Sequence, residues 1–114
     1  QIEKADWKNL KCLTELDLST NSFSSFPLPV LDITSLKYLN LSTNTIKAVP
    51  DEINQLNQLI SLDISDNPTL EYLPYDALDE IYSLKELNVN QCPKLVRRKR
   101  RAVLQSKLKS FFNL

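Results

Sequence analysis

The chain has 114 residues, of which 42% are apolar, and its 14 basic and 14 acidic side chains cancel to a formal charge of zero. That length suits one domain, and no run of 18 apolar residues supports a membrane-spanning helix. Neither His nor Gly occurs, which excludes imidazole as base or metal ligand and any glycine-rich phosphate loop or dinucleotide fingerprint.

In chain order, Trp7 and Leu10 lead into "LTELDLSTNSF", which begins at Leu13. "LKYLNLSTNTI" follows from Leu36, "LISLDISDNPTL" from Leu59 and "LKELNVNQCPKL" from Leu84. These starts lie 23, 23 and 25 residues apart. Leu10, Ile33, Leu56 and Ile81 stand three residues before each start, and Trp7, Val30, Ile53 and Leu78 three before those. Phe26-Pro27, Val49-Pro50 and Leu73-Pro74 repeat an apolar-Pro step. The third unit is two residues longer, one after Asn67 and one after Pro74. Four units with a fixed period mean stacked copies of one supersecondary element.

The units resemble the leucine-rich repeat family, at the pattern L-x-x-L-x-L-x-x-N/C-x-L. The short period and the stretch "AVPDEINQLNQLISLDISDN" are similar to intracellular repeats of the Ras-suppressor or Scribble type. The resemblance implies an α/β, right-handed solenoid with a parallel sheet on its concave face, acting as a protein-recognition module.

The residues support the same reading independently. Within L-x-L the side chains alternate, so Leu39 and Leu41 point one way and Tyr38, Asn40 and Ser42 the other. One such strand cannot bury its leucines, but stacked copies share a core. Asn21, Asn44 and Asn67 fall where the chain leaves the sheet, where an amide can satisfy backbone groups of adjacent turns. Cys92 takes that position in the fourth unit. Pro residues between strands predict irregular or short-helical convex segments.

The concave face should then carry the rows Glu15, Tyr38, Ser61, Glu86 and Asp17, Asn40, Asp63, Asn88, the candidate partner-binding residues. A third row is Ser19, Ser42, Ser65 and Asn90. Tyr38 is an aromatic among polar groups, the composition of interface hot spots. Asp17 and Asp63, about 9.5 Å apart by strand spacing with Asn40 between them, could bind a cation, but an exposed polar face is the better account of them. Asn40-Leu41-Ser42 is formally a glycosylation sequon that follows from the strand pattern. No catalytic, cofactor-binding or metal site is expected.

Charge is uneven along the chain. Residues 1–92 hold all 14 acids and six bases, and residues 93–114 hold eight bases and no acid. The densest run is Arg97, Arg98, Lys99, Arg100 and Arg101. Val103, Leu104, Leu108, Phe111 and Phe112 then recur at near-helical spacing, so residues 96–114 are expected to form a basic amphipathic helix capping a solenoid of residues 1–95. The basic run is compatible with a solvated stretch, nuclear import, nucleic acid, or an anionic membrane. A repeat array followed by a basic helix also resembles the approach to the GTPase domain of Roco proteins, so a targeting or regulatory segment of a larger signalling enzyme is the alternative function.

Cys12 and Cys92 belong to the first and fourth units, roughly 14 Å apart by strand spacing and too far for a disulfide. Secreted leucine-rich repeat proteins usually carry terminal cysteine clusters, which this sequence lacks. The expectation is a reducing, intracellular compartment, cytoplasmic or nuclear. The chain starts at Gln1 with little apolar residue content before Trp7, so more sequence is expected upstream.

Overall fold

A computed structural model describes Leu10 and residues 12–95. Four short strands form one parallel sheet in the order of the sequence: β1 (Glu15–Asp17), β2 (Tyr38–Asn40), β3 (Ser61–Asp63) and β4 (Glu86–Asn88). Their register sets Leu16, Leu39, Leu62 and Leu87 side by side. This is the repeat alignment read from the sequence, realised rung by rung.

The three-residue apolar spacing upstream of each strand has a direct cause. Val30, Ile33 and Leu36 are linked by backbone bonds from each N–H to the carbonyl three residues back, 3.0 and 3.1 Å. Ile53, Leu56 and Leu59 repeat this, as do Leu78, Ile81 and Leu84. An i to i−3 pattern brings every third side chain onto one face, and all nine are buried. Each large aliphatic removed from water contributes roughly 1.5–3 kcal/mol.

Pro27, Pro50 and Pro74 precede the convex helices Leu28–Asp32, Asp51–Gln55 and α1 (Tyr75–Asp79). Proline holds φ near −65° and so prepares a helical start. The first two helices are 3-10, with Val30 N–H on Pro27 O and Ile53 N–H on Pro50 O. The residue inserted after Pro74 lengthens the third loop by one, so Leu78 N–H reaches Pro74 O in an α-type bond of 2.9 Å. The insertion thus converts a 3-10 turn to an α turn without moving Leu78 out of the core.

Asparagines close each rung. Asn67 is fully buried and donates from Nδ2 to the carbonyls of Leu41, Ile64 and Ser65 at 3.0–3.1 Å, while its Oδ1 accepts from Ile46 N–H at 2.9 Å. Asn44 does the same one rung earlier, for Leu18, Leu41 and Ser42 carbonyls and the N–H groups of Asn21 and Phe23. Cys92 substitutes in the fourth unit, its thiol donating to Ile64 O at 3.4 Å.

The residue before each of these, Thr20, Thr43, Asp66 and Gln91, has φ of 56–58°. That region favours glycine, and this chain has none. In the first three the N–H is claimed by the next rung: Thr20 donates to Ser42 O, Thr43 to Ser65 O and Asp66 to Asn90 O, at 2.8–3.1 Å. The local strain costs about 1–2 kcal/mol per residue and is offset by these bonds.

The capping helix expected over 96–114 and Trp7 lie outside the described residues.

Candidate functional site

The side of the sheet opposite the leucines carries the predicted recognition residues. Register places Glu15, Tyr38, Ser61 and Glu86 in one row and Asp17, Asn40, Asp63 and Asn88 in the next. Six of these eight, with Leu16 and Leu39 at the floor, line an open hollow of about 450 Å³ over β1–β3. Glu86 and Asn88 lie beyond it on β4. Asn88 instead lines a smaller hollow of about 250 Å³ with Ser42, Thr43, Ser65, Asp66, Asn90 and Gln91.

The second row has a structural duty. Asp17 Oδ1 accepts from the Ser19 N–H at 2.9 Å and its hydroxyl at 2.6 Å, and Asp63 Oδ1 does the same with Ser65 at 3.0 and 2.6 Å. Asn40 and Asn88 accept from the N–H groups of Ser42 and Asn90. An Asx side chain bonding two residues ahead makes a turn that ends the strand. The Ser19 hydroxyl, then its N–H, holds the Asp17 carboxyl below the usual carboxylate range. Among the described residues no His, Cys, Asp and Glu cluster has the arrangement to hold a metal ion.

The outer atoms are uncommitted. Among the described residues, Glu15, Ser61 and the Tyr38 hydroxyl make no side-chain hydrogen bond, nor do the Oδ2 atoms of Asp17 and Asp63. Tyr38 is 44% exposed. Its ring therefore stands in the hollow with carboxylates around it and no lysine or arginine in the lining.

A convex groove of about 350 Å³ went unread in the sequence. Asp51, Asn54, Tyr72, Tyr75, Asp76 and Glu80 contribute to it. Its groups bond to one another: Tyr72 donates to Asp51 at 2.9 Å and Asn54 to Glu80 at 2.7 Å. Tyr72 and Tyr75 flank the Leu73-Pro74 step, the only signal the sequence offered. The basic run Arg97, Arg98, Lys99, Arg100 and Arg101 lies outside the described residues.

A family model described as "Leucine rich repeat" matches residues 34–93, and a second of the same description matches residues 12–32. The chain belongs to the leucine-rich repeat family. Among solved structures, an internalin of Listeria monocytogenes is similar over 97% of this chain, at 28% identity and a TM-score of 0.75. A leucine-rich repeat protein of Leptospira interrogans is similar over 98%, at 25% identity and a TM-score of 0.74. The chain spans 31% and 28% of the lengths of those two proteins. No curated protein matches the sequence.

Proposed function

We propose that these leucine-rich repeats form a recognition module that binds a partner protein through the concave face and does no chemistry of its own. The supporting observation is Tyr38, 44% exposed in a hollow whose carboxylates and hydroxyls have spare hydrogen-bonding capacity. A rigid stack presents such groups at fixed spacing, about 4.7–4.9 Å between rungs. A partner that buries the tyrosine and satisfies the polar ring around it has the anatomy of an interface core and rim.

A reducing, intracellular setting fits this reading. Cys92 serves as a buried thiol donor within the ladder, a role that oxidation would remove, and Cys12 is a free, exposed thiol.

Affinity capture tests the proposal, with the chain as bait and mass spectrometry as readout. The Tyr38→Ala, Asp63→Ala double variant is expected to lose specific partners while its circular dichroism is unchanged. Retention of every partner would refute recognition by this face. Loss of partners only when residues 97–101 are deleted would favour targeting by the basic run instead.

A further inference from the structure

The concave hollow and the convex groove are both acidic, but they differ in what their acids do. On the convex side Asp51 and Glu80 already accept from Tyr72 and Asn54. In the hollow, Glu15 and the Oδ2 atoms of Asp17 and Asp63 have no such donor among the described residues. Lys37 and Lys85 come one residue before the hollow's Tyr38 row and line neither hollow.

Resting on recognition by the concave face, we propose that the group seated in this hollow is an arginine or lysine side chain of the partner protein. Tyr38 pairs with Glu15 across one strand spacing, and with Ser61 on its other side. A cation over the tyrosine face is attracted by the ring quadrupole. Carboxylates flank it: Glu15 in the tyrosine's own row, Asp17 and Asp63 in the next row on the neighbouring strands. Arginine fits better than lysine, because its planar fork can stack on the ring and bond a carboxylate through two N–H groups. The open volume of about 450 Å³ is ample for such a side chain and its backbone. An acidic or purely apolar occupant would leave three like charges facing it uncompensated.

The test is NMR titration of the ¹⁵N-labelled full chain with blocked pentapeptides that carry one central arginine, glutamate or norleucine. The arginine peptide should shift the amides of residues 15–17, 38–40 and 61–63 saturably, and the other two should not. Tyr38→Ala should weaken that binding about two- to five-fold. Glu15→Gln with Asp63→Asn should weaken it further, and 0.5 M salt should weaken it as well. Equal shifts from all three peptides, or arginine shifts confined to Asp51, Asp76 and Glu80, would overturn the proposal. So would displacement of the hollow's own amides on replacing residues 97–101 by serine, which would make the chain's basic run the occupant. If the concave variants lose captured partners but the arginine peptide ignores the hollow, recognition by the face stands and its cation preference falls. If arginine binds there while every partner survives the variants, partner recognition falls and this inference with it.

Discussion

Tyr38 and Leu39 are neighbours in sequence and opposites in commitment. Leu39 is buried in a core that extends from Leu18 to Leu95, while Tyr38 stands in the concave hollow with its hydroxyl unengaged. The same division runs along every strand. Behind the sheet the buried amides of Asn44 and Asn67 are fully used, Asn67 through four hydrogen bonds. In front of it the outer atoms are spare. Stability and the proposed recognition surface therefore fall on alternate residues, and substitutions should separate them.

The largest effects belong behind the sheet. Leu62→Ala should cost about 2–5 kcal/mol, which is a large part of the stability of a small domain and can prevent folding outright. Leu16→Ala should cost less, since Leu16 is only partly buried against the core. Equal urea midpoints for these two would break the account of where the core sits.

Asn67→Ala comes next. It strands the Ile46 N–H and takes one of two donors from the carbonyls of Leu41, Ile64 and Ser65, which keep Asn44, Cys92 and the Thr43 N–H; a buried unsatisfied group costs about 1–3 kcal/mol. The lost carbonyl bonds add to that, so a loss of about 3 kcal/mol is expected in chemical denaturation. Asn21→Ala should cost well under half of that, because Asn21 is exposed and bonds only Leu18 and Ser19 carbonyls.

A smaller effect, of opposite sign, is expected at the strained turns. Thr43→Gly removes a β-branched side chain from φ 57°. Relief of about 1–2 kcal/mol, less the entropy that glycine loses on ordering, leaves a net gain of up to about 1 kcal/mol in urea unfolding. A loss would mean that the Thr43 side chain contributes more than its backbone strain costs.

The smallest is at Asp17. Its folded carboxyl titrates below the usual range because Ser19 donates to it. A depressed folded pKa contributes stability above the unfolded value, near 3.9, and that contribution fades as pH falls through the folded value. The stability difference between the wild type and Asp17→Asn should hence be constant above about pH 5 and change only below about pH 4.

The repeat period made the strand order, the register and both concave rows legible, because a fixed spacing propagates one geometry through every rung. The asparagine positions were legible for the same reason. The pairing of Asp17 with Ser19, and of Asp63 with Ser65, was present in the letters, but only the turn geometry shows these carboxylates ending the strand. Nothing in the letters marks where the hollow stops short of Glu86. That depends on how side chains of neighbouring rungs fill the space between them. The convex groove was invisible because it is built by Asp51, Tyr72 and Glu80 across different loops, outside the repeating consensus. Positive φ at Thr20 and Thr43 also runs against what threonine prefers, and only the inter-rung hydrogen bonds explain it.

Urea unfolding of Leu39→Ala beside Tyr38→Ala tests most directly the claim that one strand carries stability on one side and a free recognition surface on the other. The account predicts a loss of about 2–5 kcal/mol for Leu39→Ala and a change within about 0.5 kcal/mol for Tyr38→Ala. Comparable losses for the two neighbours would contradict it, since Tyr38 would then be part of what holds the sheet together.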